Sequence, residues 1–113
     1  VPIRQLTKHI MSSIKNVEKS IKGYKFSTYS LSDFLCGEES KGMVAFSLNK
    51  LKPFGILGKD NHRIVLSYIR RLVDENILSV DKENYNHLSI VVENPTDDQL
   101  VEIFMEMKTR RII

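Results

Sequence analysis

Basic side chains flank a short glycine-containing turn near the middle of the chain, and the chemistry open to them is the binding of phosphate groups. Lys50 and Lys52 precede the turn, Gly58 and Lys59 end it, and Arg63 follows one helical turn later. Cationic side chains attract phosphate without reading base sequence, and the free amides of a helix N-terminus add further donors. We therefore expect an anion-binding surface here, with the alternative that Lys50 and Lys52 only keep a helix end solvated.

Charge is distributed unevenly along the chain, which has a net charge of +3. Counting Lys and Arg against Asp and Glu, residues 41 to 71 carry +6, whereas residues 72 to 107 carry −8. Such blocks predict one basic face and one acidic face, and the basic block coincides with the glycine-containing turn. A polyanion is the expected partner of the basic face, and the acidic stretch from Asp74 to Glu106 is the expected surface for protein partners.

Length and composition predict a single domain across residues 1 to 113. The hydrophobic fraction of 42% is enough to fill one modest core. The longest apolar runs, such as residues 43 to 46 and 89 to 92, are too short to cross a bilayer, so no membrane association is expected. Because the chain begins without Met and shows no leader pattern, we expect a domain taken from a longer polypeptide.

Residue types that support metal or covalent chemistry are too sparse for such a site. Cys36 is the only cysteine, so neither an internal disulfide nor a cysteine cluster for zinc is available, and we expect it in the core. The three histidines lack the short spacings of zinc sites. Gly58 and Lys59 do not form a phosphate-binding P-loop, because the required upstream glycine and following Ser or Thr are missing. We expect no catalytic site and no metal site.

The spacing of apolar residues predicts the helices that precede the turn. Apolar residues at steps of three or four predict a first helix over residues 3 to 21, ended by Gly23 and followed by an extended connection to Ser27. A second short helix is expected to be capped at Ser30, with an acid three residues later, and to stop at Gly37. Residues 43 to 50 are expected to form another short helix.

A helix, a hairpin and a final helix are predicted to follow the turn. Asp60 or a neighbour is expected to cap a helix that buries a stripe between residues 64 and 73, and Asn76 is expected to end it in a left-handed conformation. Residues 77 to 80 and 88 to 92 predict paired strands.

The hairpin tip is expected at residues 81 to 87, and Thr96 stands at capping-box spacing from Gln99 before the last helix. This order predicts a mainly α fold with a small β-hairpin, the layout of a winged helix, with helices flanking it at both ends. The aromatic residues expected in the core are Tyr29, Phe34, Phe46, Tyr68 and Phe104.

Motifs in this order resemble the RQC domain, the winged helix found C-terminal to the motor of RecQ-type DNA helicases. Residues 54 to 60, Phe-Gly-Ile-Leu-Gly-Lys-Asp, resemble the family's Phe-Gly-x-Gly-Lys turn before its third helix. Residues 68 to 78 are similar to its helix and first strand. Residues 35 to 41 resemble its Leu-x-Gly-Ser-x-Ser-Lys/Arg loop, with Glu38 in place of the usual Ser. The resemblance covers roughly residues 6 to 95 and is nearest to the Werner and Bloom branches.

The resemblance implies binding of duplex DNA near a fork or junction through contacts to its phosphates. Ser40 and Lys41 belong to the loop before the turn, with the alternative that this loop is an ordinary mobile segment. The residues that the resemblance and the charge pattern together assign to DNA binding are Ser40, Lys41, Lys50, Lys52, Gly58, Lys59, Asn61 and Arg63.

Werner-type members of the family place an aromatic residue at the hairpin tip as a wedge that stacks on the terminal base pair. Tyr85 and His87 are the candidates for this wedge. A flat ring replaces part of the base stacking that strand separation removes. The alternative is that the aromatic residue packs only on its own hairpin.

The resemblance also implies a domain that is not catalytic by itself and belongs to an ATP-dependent 3′–5′ DNA helicase of repair, recombination and replication. Neither the ATPase motifs nor the Cys-rich zinc subdomain of such helicases occurs in these residues. No cofactor is therefore expected in this domain, and ATP, Mg and Zn are expected only in those other parts. A nuclear location is expected for a eukaryotic source, and otherwise the cytoplasm with the nucleoid.

Two other functions fit a winged helix. In a sequence-specific transcription regulator, the helix over residues 61 to 75 would enter the major groove, but it exposes few side chains suited to base edges. In a protein-interaction winged helix, the acidic stretch from Asp74 to Glu106 would form the working surface.

Overall fold

The computed structural model describes residues 3 to 21 and 24 to 111 of the chain. These residues contain five α-helices and one antiparallel hairpin. The helices are α1 (Ile3–Ser20), α2 (Thr28–Cys36), α3 (Lys41–Ala45), α4 (His62–Asp74) and α5 (Asp97–Thr109). The strands are β1 (Leu78–Asp81) and β2 (His87–Ile90). The prediction of a mainly α winged helix with a small hairpin is confirmed.

Helix α1 is the longest helix that packs on the core. Its stripe of Leu6, Ile10, Ile14 and Val17 is buried against α2, α5 and β2, as the three-to-four spacing predicted. Burying one such aliphatic side chain stabilises the fold by roughly 1.5–3 kcal/mol. The predicted end of this helix at Gly23 lies outside the described residues. No described helix combines the length and the hydropathy that a membrane crossing requires.

Helix α2 begins three residues earlier than predicted. Ser27 is the N-cap, and its hydroxyl accepts a hydrogen bond from the Ser30 amide while the Ser30 hydroxyl accepts one from the Ser27 amide. Placing the cap at Ser30 was wrong because Ser30 occupies the N3 position of this capping box, where Glu or Gln is usual. The predicted end at Gly37 is confirmed, with φ of 84° in the left-handed region.

The predicted helix over residues 43 to 50 is wrong in its bounds. Ser40 caps α3 by accepting a hydrogen bond from the Met43 amide at 3.2 Å, so the helix starts at Lys41. Ser47, with φ of 59°, then interrupts the helical path, and a separate 3-10 turn covers Leu48–Lys50. The left-handed residue breaks the ladder of backbone hydrogen bonds that a continuous helix needs.

The hairpin of β1 and β2 forms the wing, and residues 26 and 27 pair with β2 as a short third segment. Strands β1 and β2 pair in a register from Leu78 opposite Ile90 to Asp81 opposite His87. Asn76 ends the preceding helical segment at φ of 60°, as predicted. Strand β1 lies one residue later than predicted, whereas β2 starts one residue earlier and ends two residues earlier than predicted. Residue 77 precedes β1 and accepts hydrogen bonds from the amides of residues 91 and 92.

The connection before α2 lies against the wing. The Leu88 amide donates to the Phe26 carbonyl at 2.7 Å, and Ser27 forms an antiparallel bridge with His87. The predicted extended connection up to Ser27 is therefore confirmed, and it fixes the start of β2, next to the wing tip, to the N-terminus of α2.

Helix α5 packs on α1 and α4 through Leu100, Ile103 and Met107. Its predicted capping box is confirmed, because the Thr96 hydroxyl accepts from the Gln99 amide and the Gln99 side chain accepts from the Thr96 amide. The apolar spacing at the C-terminal end of the sequence thus encodes a helix that closes the core.

The core prediction fails for two aromatic residues. Phe34 and Tyr68 are buried as predicted, and Phe104 is half-buried. Tyr29, however, is 56% exposed and Phe46 is 40% exposed. Tyr29 lies on the side of α2 that faces Arg70 and solvent, and Phe46 follows α3, where its ring contacts only the edge of the core.

Candidate nucleic-acid interface

The glycine-containing turn is fixed to the C-terminal end of α2. The Gly55 amide donates to the Phe34 carbonyl at 2.8 Å, and the Leu57 amide donates to the Leu35 carbonyl at 2.9 Å. Carbonyls in the last turn of a helix have no partner within the helix. The turn supplies those partners, so its position relative to α2 is set by backbone hydrogen bonds.

Close packing at this junction explains the Phe-Gly sequence. The ring of Phe54 meets Phe34 edge-on at 5.8 Å. A Cβ added to Gly37 would lie 3.3 Å from the Gly55 Cα, and Gly55 itself has φ of 73°. Gly58 has φ of 81° and ψ of 153°, a combination that is essentially confined to glycine. Gly37 and Gly55 therefore allow the loop after α2 and the turn before α4 to pack closely against each other, and Gly58 allows the backbone conformation at the end of the turn.

The chain enters α4 through a 3-10 turn over Lys59–Asn61. The N-cap position of α4 is Asn61, a neighbour of Asp60 as predicted, but its side chain makes no capping hydrogen bond. The Asn61 amide group instead donates to the Leu57 carbonyl and braces the turn. Without a side-chain cap, the start of α4 keeps donors and partial positive charge for an anion.

The basic side chains assigned to phosphate binding reach solvent without partners. Lys50, Lys52, Lys59 and Arg63 are exposed, as is Lys41. Within residues 3 to 21 and 24 to 111, none of them forms an ion pair. Their charge is therefore uncompensated by neighbouring carboxylates, and this is the arrangement that attracts a polyanion.

Arg71 differs from these residues although it lies in the same basic block. It is mostly buried and pairs with Asp74 at 3.0 Å, Glu75 at 2.8 Å and also Glu106 of α5. The three carboxylates remove Arg71 from any phosphate-binding surface.

Ser40 and Lys41 lie at the start of α3, after the loop that leaves Gly37. The Ser40 hydroxyl is engaged as a helix cap, which leaves its own O–H free to donate. Glu38 and Glu39 are exposed in the same loop and oppose phosphate there.

An ion-pair geometry that the sequence did not suggest joins α2 to the start of α4. His62 Nε2 and Asp33 Oδ1 lie 2.6 Å apart, and the Ser32 hydroxyl donates to the His62 carbonyl at 3.5 Å. No local sequence pattern indicates this contact, because its partners are 29 positions apart in the chain. It holds the first residue of α4 and engages the Asp33 carboxylate.

The wing tip presents its aromatic residue to solvent. Tyr85 is 85% exposed, and its ring centroid lies 6.0 Å from that of His87. Tyr85 and Asn86 both have φ of 59°, a left-handed conformation that is uncommon for bulky residues. The tip thus holds Tyr85 outward at some cost in backbone strain.

Two titratable groups in the described interior, Cys36 and Tyr68, have raised pKa values. Burial, with contributions from Asp33 and Glu38, raises the pKa of the Cys36 thiol to about 11, so the reactive thiolate is scarce at neutral pH. Burial also raises the pKa of Tyr68, whose hydroxyl lies 2.6 Å from that of Thr7. The described residues contain no cluster of His, Cys, Asp or Glu that suits a metal ion.

A helical core, an antiparallel wing and a glycine-fixed basic turn before α4 define the chain as a winged helix, a class whose commonest partner is DNA. The family model described as "RQC domain" matches residues 2–106, and the chain belongs to this family. RQC domains are non-catalytic domains of RecQ helicases and are associated with DNA binding. No curated protein and no solved structure gives a significant match to the chain.

Proposed function

We propose that this domain binds duplex DNA next to a fork or junction, as part of an ATP-dependent RecQ-type DNA helicase. The exposed basic residues at the loop, the turn and the start of α4 contact phosphates, and the wing tip meets the end of the duplex. The motor, which lies in another part of such a helicase, pulls the DNA against the wing.

One observation supports this proposal above the others. Among the residues that the structure describes, Lys41, Lys59 and Arg63 have no carboxylate partner, and they lie on segments that the C-terminal end of α2 holds together. Phosphate contacts of this kind add affinity without sequence preference, as a helicase that acts on any sequence requires. Arg71, whose charge three carboxylates compensate, is the contrast within the same block.

Salt dependence is the measurement that tests the phosphate contacts. Each neutralised phosphate lowers the logarithmic slope of affinity against salt by about 0.9 for duplex DNA, so five engaged cations give a slope of about −4.5. Fluorescence anisotropy of a labelled forked duplex at several salt concentrations measures this slope. Lys59→Ala is expected to weaken binding and to make the slope shallower by about 0.9.

Lys15→Ala is the matched control, because Lys15 is also an exposed lysine but pairs with Glu93 on another face. It is expected to leave the slope unchanged. An affinity indifferent to ionic strength, or equal slopes for wild type and Lys59→Ala, would contradict the phosphate contacts. Absence of DNA binding even at low salt would instead favour a protein-interaction winged helix, and strong selection of one site from random DNA would favour a transcription regulator.

A further inference from the structure

We propose that one strand leaving the duplex end follows a track from the wing to the outer face of α2 and α4, where a base stacks on Tyr29 and Arg70 binds the adjacent phosphate. This inference rests on the proposed function, and it adds a binding surface for single-stranded DNA that extends beyond the basic turn, with Arg63 common to both.

Tyr29 and Arg70 form a paired surface group. The Arg70 guanidinium carbon lies 5.2 Å from the Tyr29 ring centroid, and the guanidinium donates a hydrogen bond to the Tyr29 hydroxyl. The Tyr29 residue nevertheless remains 56% exposed. An aromatic ring that is held in place by a cation and left open to solvent has the features of a base-stacking platform.

This group lies beside the end of β2 that is nearest the wing tip. Ser27 bridges to His87, and Ser27 is the N-cap of α2, two residues before Tyr29. Two residues span at most about 7 Å, and bridged Cα atoms lie about 5 Å apart. The Cα atoms of Tyr29 and His87 are therefore no more than about 12 Å apart.

Aromatic groups thus continue from the wing tip towards α2. The rings of Tyr85 and His87 are 6.0 Å apart at the tip, and Tyr29 follows beyond the bridge at Ser27. Stacking on successive aromatic side chains tolerates any base, so such a row suits a strand of arbitrary sequence.

Positive charge continues along α4 in the same direction. Arg63 and Arg70 are seven positions apart and therefore lie on one face of the helix, and both are exposed. Asp33 is on the same side of α2 as Tyr29, but its carboxylate is already in contact with His62. The outer face of α2 and α4 accordingly offers two cations, and the Asp33 carboxylate on that face is engaged by His62.

Three DNAs test the track with the chain of 113 residues: a blunt duplex, the same duplex with a 3′ single-stranded tail, and the same duplex with a 5′ tail. The quantity measured by anisotropy is the tail advantage, the ratio of affinity for the better tailed duplex to that for the blunt duplex. Tyr29→Ala is expected to reduce this ratio by about fivefold or more, with blunt-duplex affinity unchanged. Arg70→Ala is expected to reduce the ratio as well.

Two control variants separate stacking from other effects. Tyr29→Phe keeps the ring and removes the hydroxyl that Arg70 contacts, and it is expected to keep most of the tail advantage. Arg4→Ala removes an exposed arginine that pairs with Asp97 between α1 and α5, and it is expected to leave the ratio unchanged. Thermal unfolding of each variant shows whether its fold is intact.

A fluorescent base analogue, 2-aminopurine, reports stacking directly when it is placed at the first tail position. Its fluorescence is expected to be quenched by wild type and less by Tyr29→Ala. A wild-type tail advantage of one, or equal ratios and quenching for wild type and Tyr29→Ala, overturns the track and leaves the proposed function standing. Absence of salt-dependent binding to the blunt duplex, by contrast, overturns the proposed function.

Discussion

Replacing Gly37 by alanine is expected to destabilise the domain and to displace the turn that carries Lys59. Gly37 has φ of 84°, where an L-residue costs about 1–2 kcal/mol. The added Cβ would also lie 3.3 Å from the Gly55 Cα, which is backbone and must shift by a few tenths of an ångström. We therefore expect Gly37→Ala to lower the free energy of unfolding by at least about 1–2 kcal/mol.

The expected change in melting temperature follows from the size of the chain. For 113 residues, the entropy of unfolding is about 0.24 kcal/mol per kelvin near the midpoint. A loss of about 1–2 kcal/mol then lowers Tm by about 4–8 °C. Circular dichroism during heating measures the shift, and anisotropy well below the Tm of the variant measures forked-duplex affinity. That affinity is also expected to fall, because Gly55 donates the hydrogen bond that fixes the turn to α2.

Two other glycines make the comparison specific. Gly42 lies in α3 without a positive φ, and a Cβ there would meet only the Tyr24 side chain, at 4.0 Å. Gly42→Ala is expected to keep or raise Tm, because alanine favours a helix by up to about 1 kcal/mol. Gly58→Ala introduces backbone strain without a close contact, since nothing lies within 4 Å. A Tm of Gly37→Ala equal to that of wild type would refute the inferred strain and contact at Gly37.

Two further predictions concern the wing and the interior. In a helicase that carries this domain, Tyr85→Ala or His87→Ala is expected to slow strand separation about fivefold or more, since a stacked base contributes about 1–3 kcal/mol; unchanged separation in both variants with ATP turnover intact would exclude the wedge. The pKa of the Cys36 thiol is raised to about 11 in the folded state, so the thiol of the unfolded chain ionises first as pH rises. The stability that the buried neutral thiol contributes is therefore complete below about pH 9 and is lost towards pH 11. Denaturant unfolding across this window is expected to show a steeper loss of stability for wild type than for Cys36→Ala, and parallel curves would contradict the raised pKa.

Local patterns in the sequence predicted most of the helices and the hairpin. The apolar spacing of α1, the left-handed ends at Gly37 and Asn76, and the capping box at Thr96 involve residues within a few positions of one another. Hydrogen bonds and shared helix faces operate over that same distance. The bounds failed where two local signals competed, as at Ser27 against Ser30.

The candidate site could be predicted only in part. The sequence identified the basic residues around the turn, because charge and glycine content are visible without coordinates. It did not separate Arg71, which three carboxylates engage, from Arg63, which has none among the described residues. The seven-residue spacing of Arg63 and Arg70 was visible, but the ring of Tyr29 over which Arg70 lies was not, since 41 residues separate that pair.

The sequence by itself determined the order of the elements, the positions where the chain reverses, and the excess of positive charge before α4. Tertiary structure decided which of those charges remain unpaired and which segments share a surface. The contact of Arg71 with Glu106 and that of His62 with Asp33 exist only because helices distant in the chain pack together. Helix formation depends on neighbours a few residues away, whereas the partner of a side chain on a packed face depends on the geometry of the whole core.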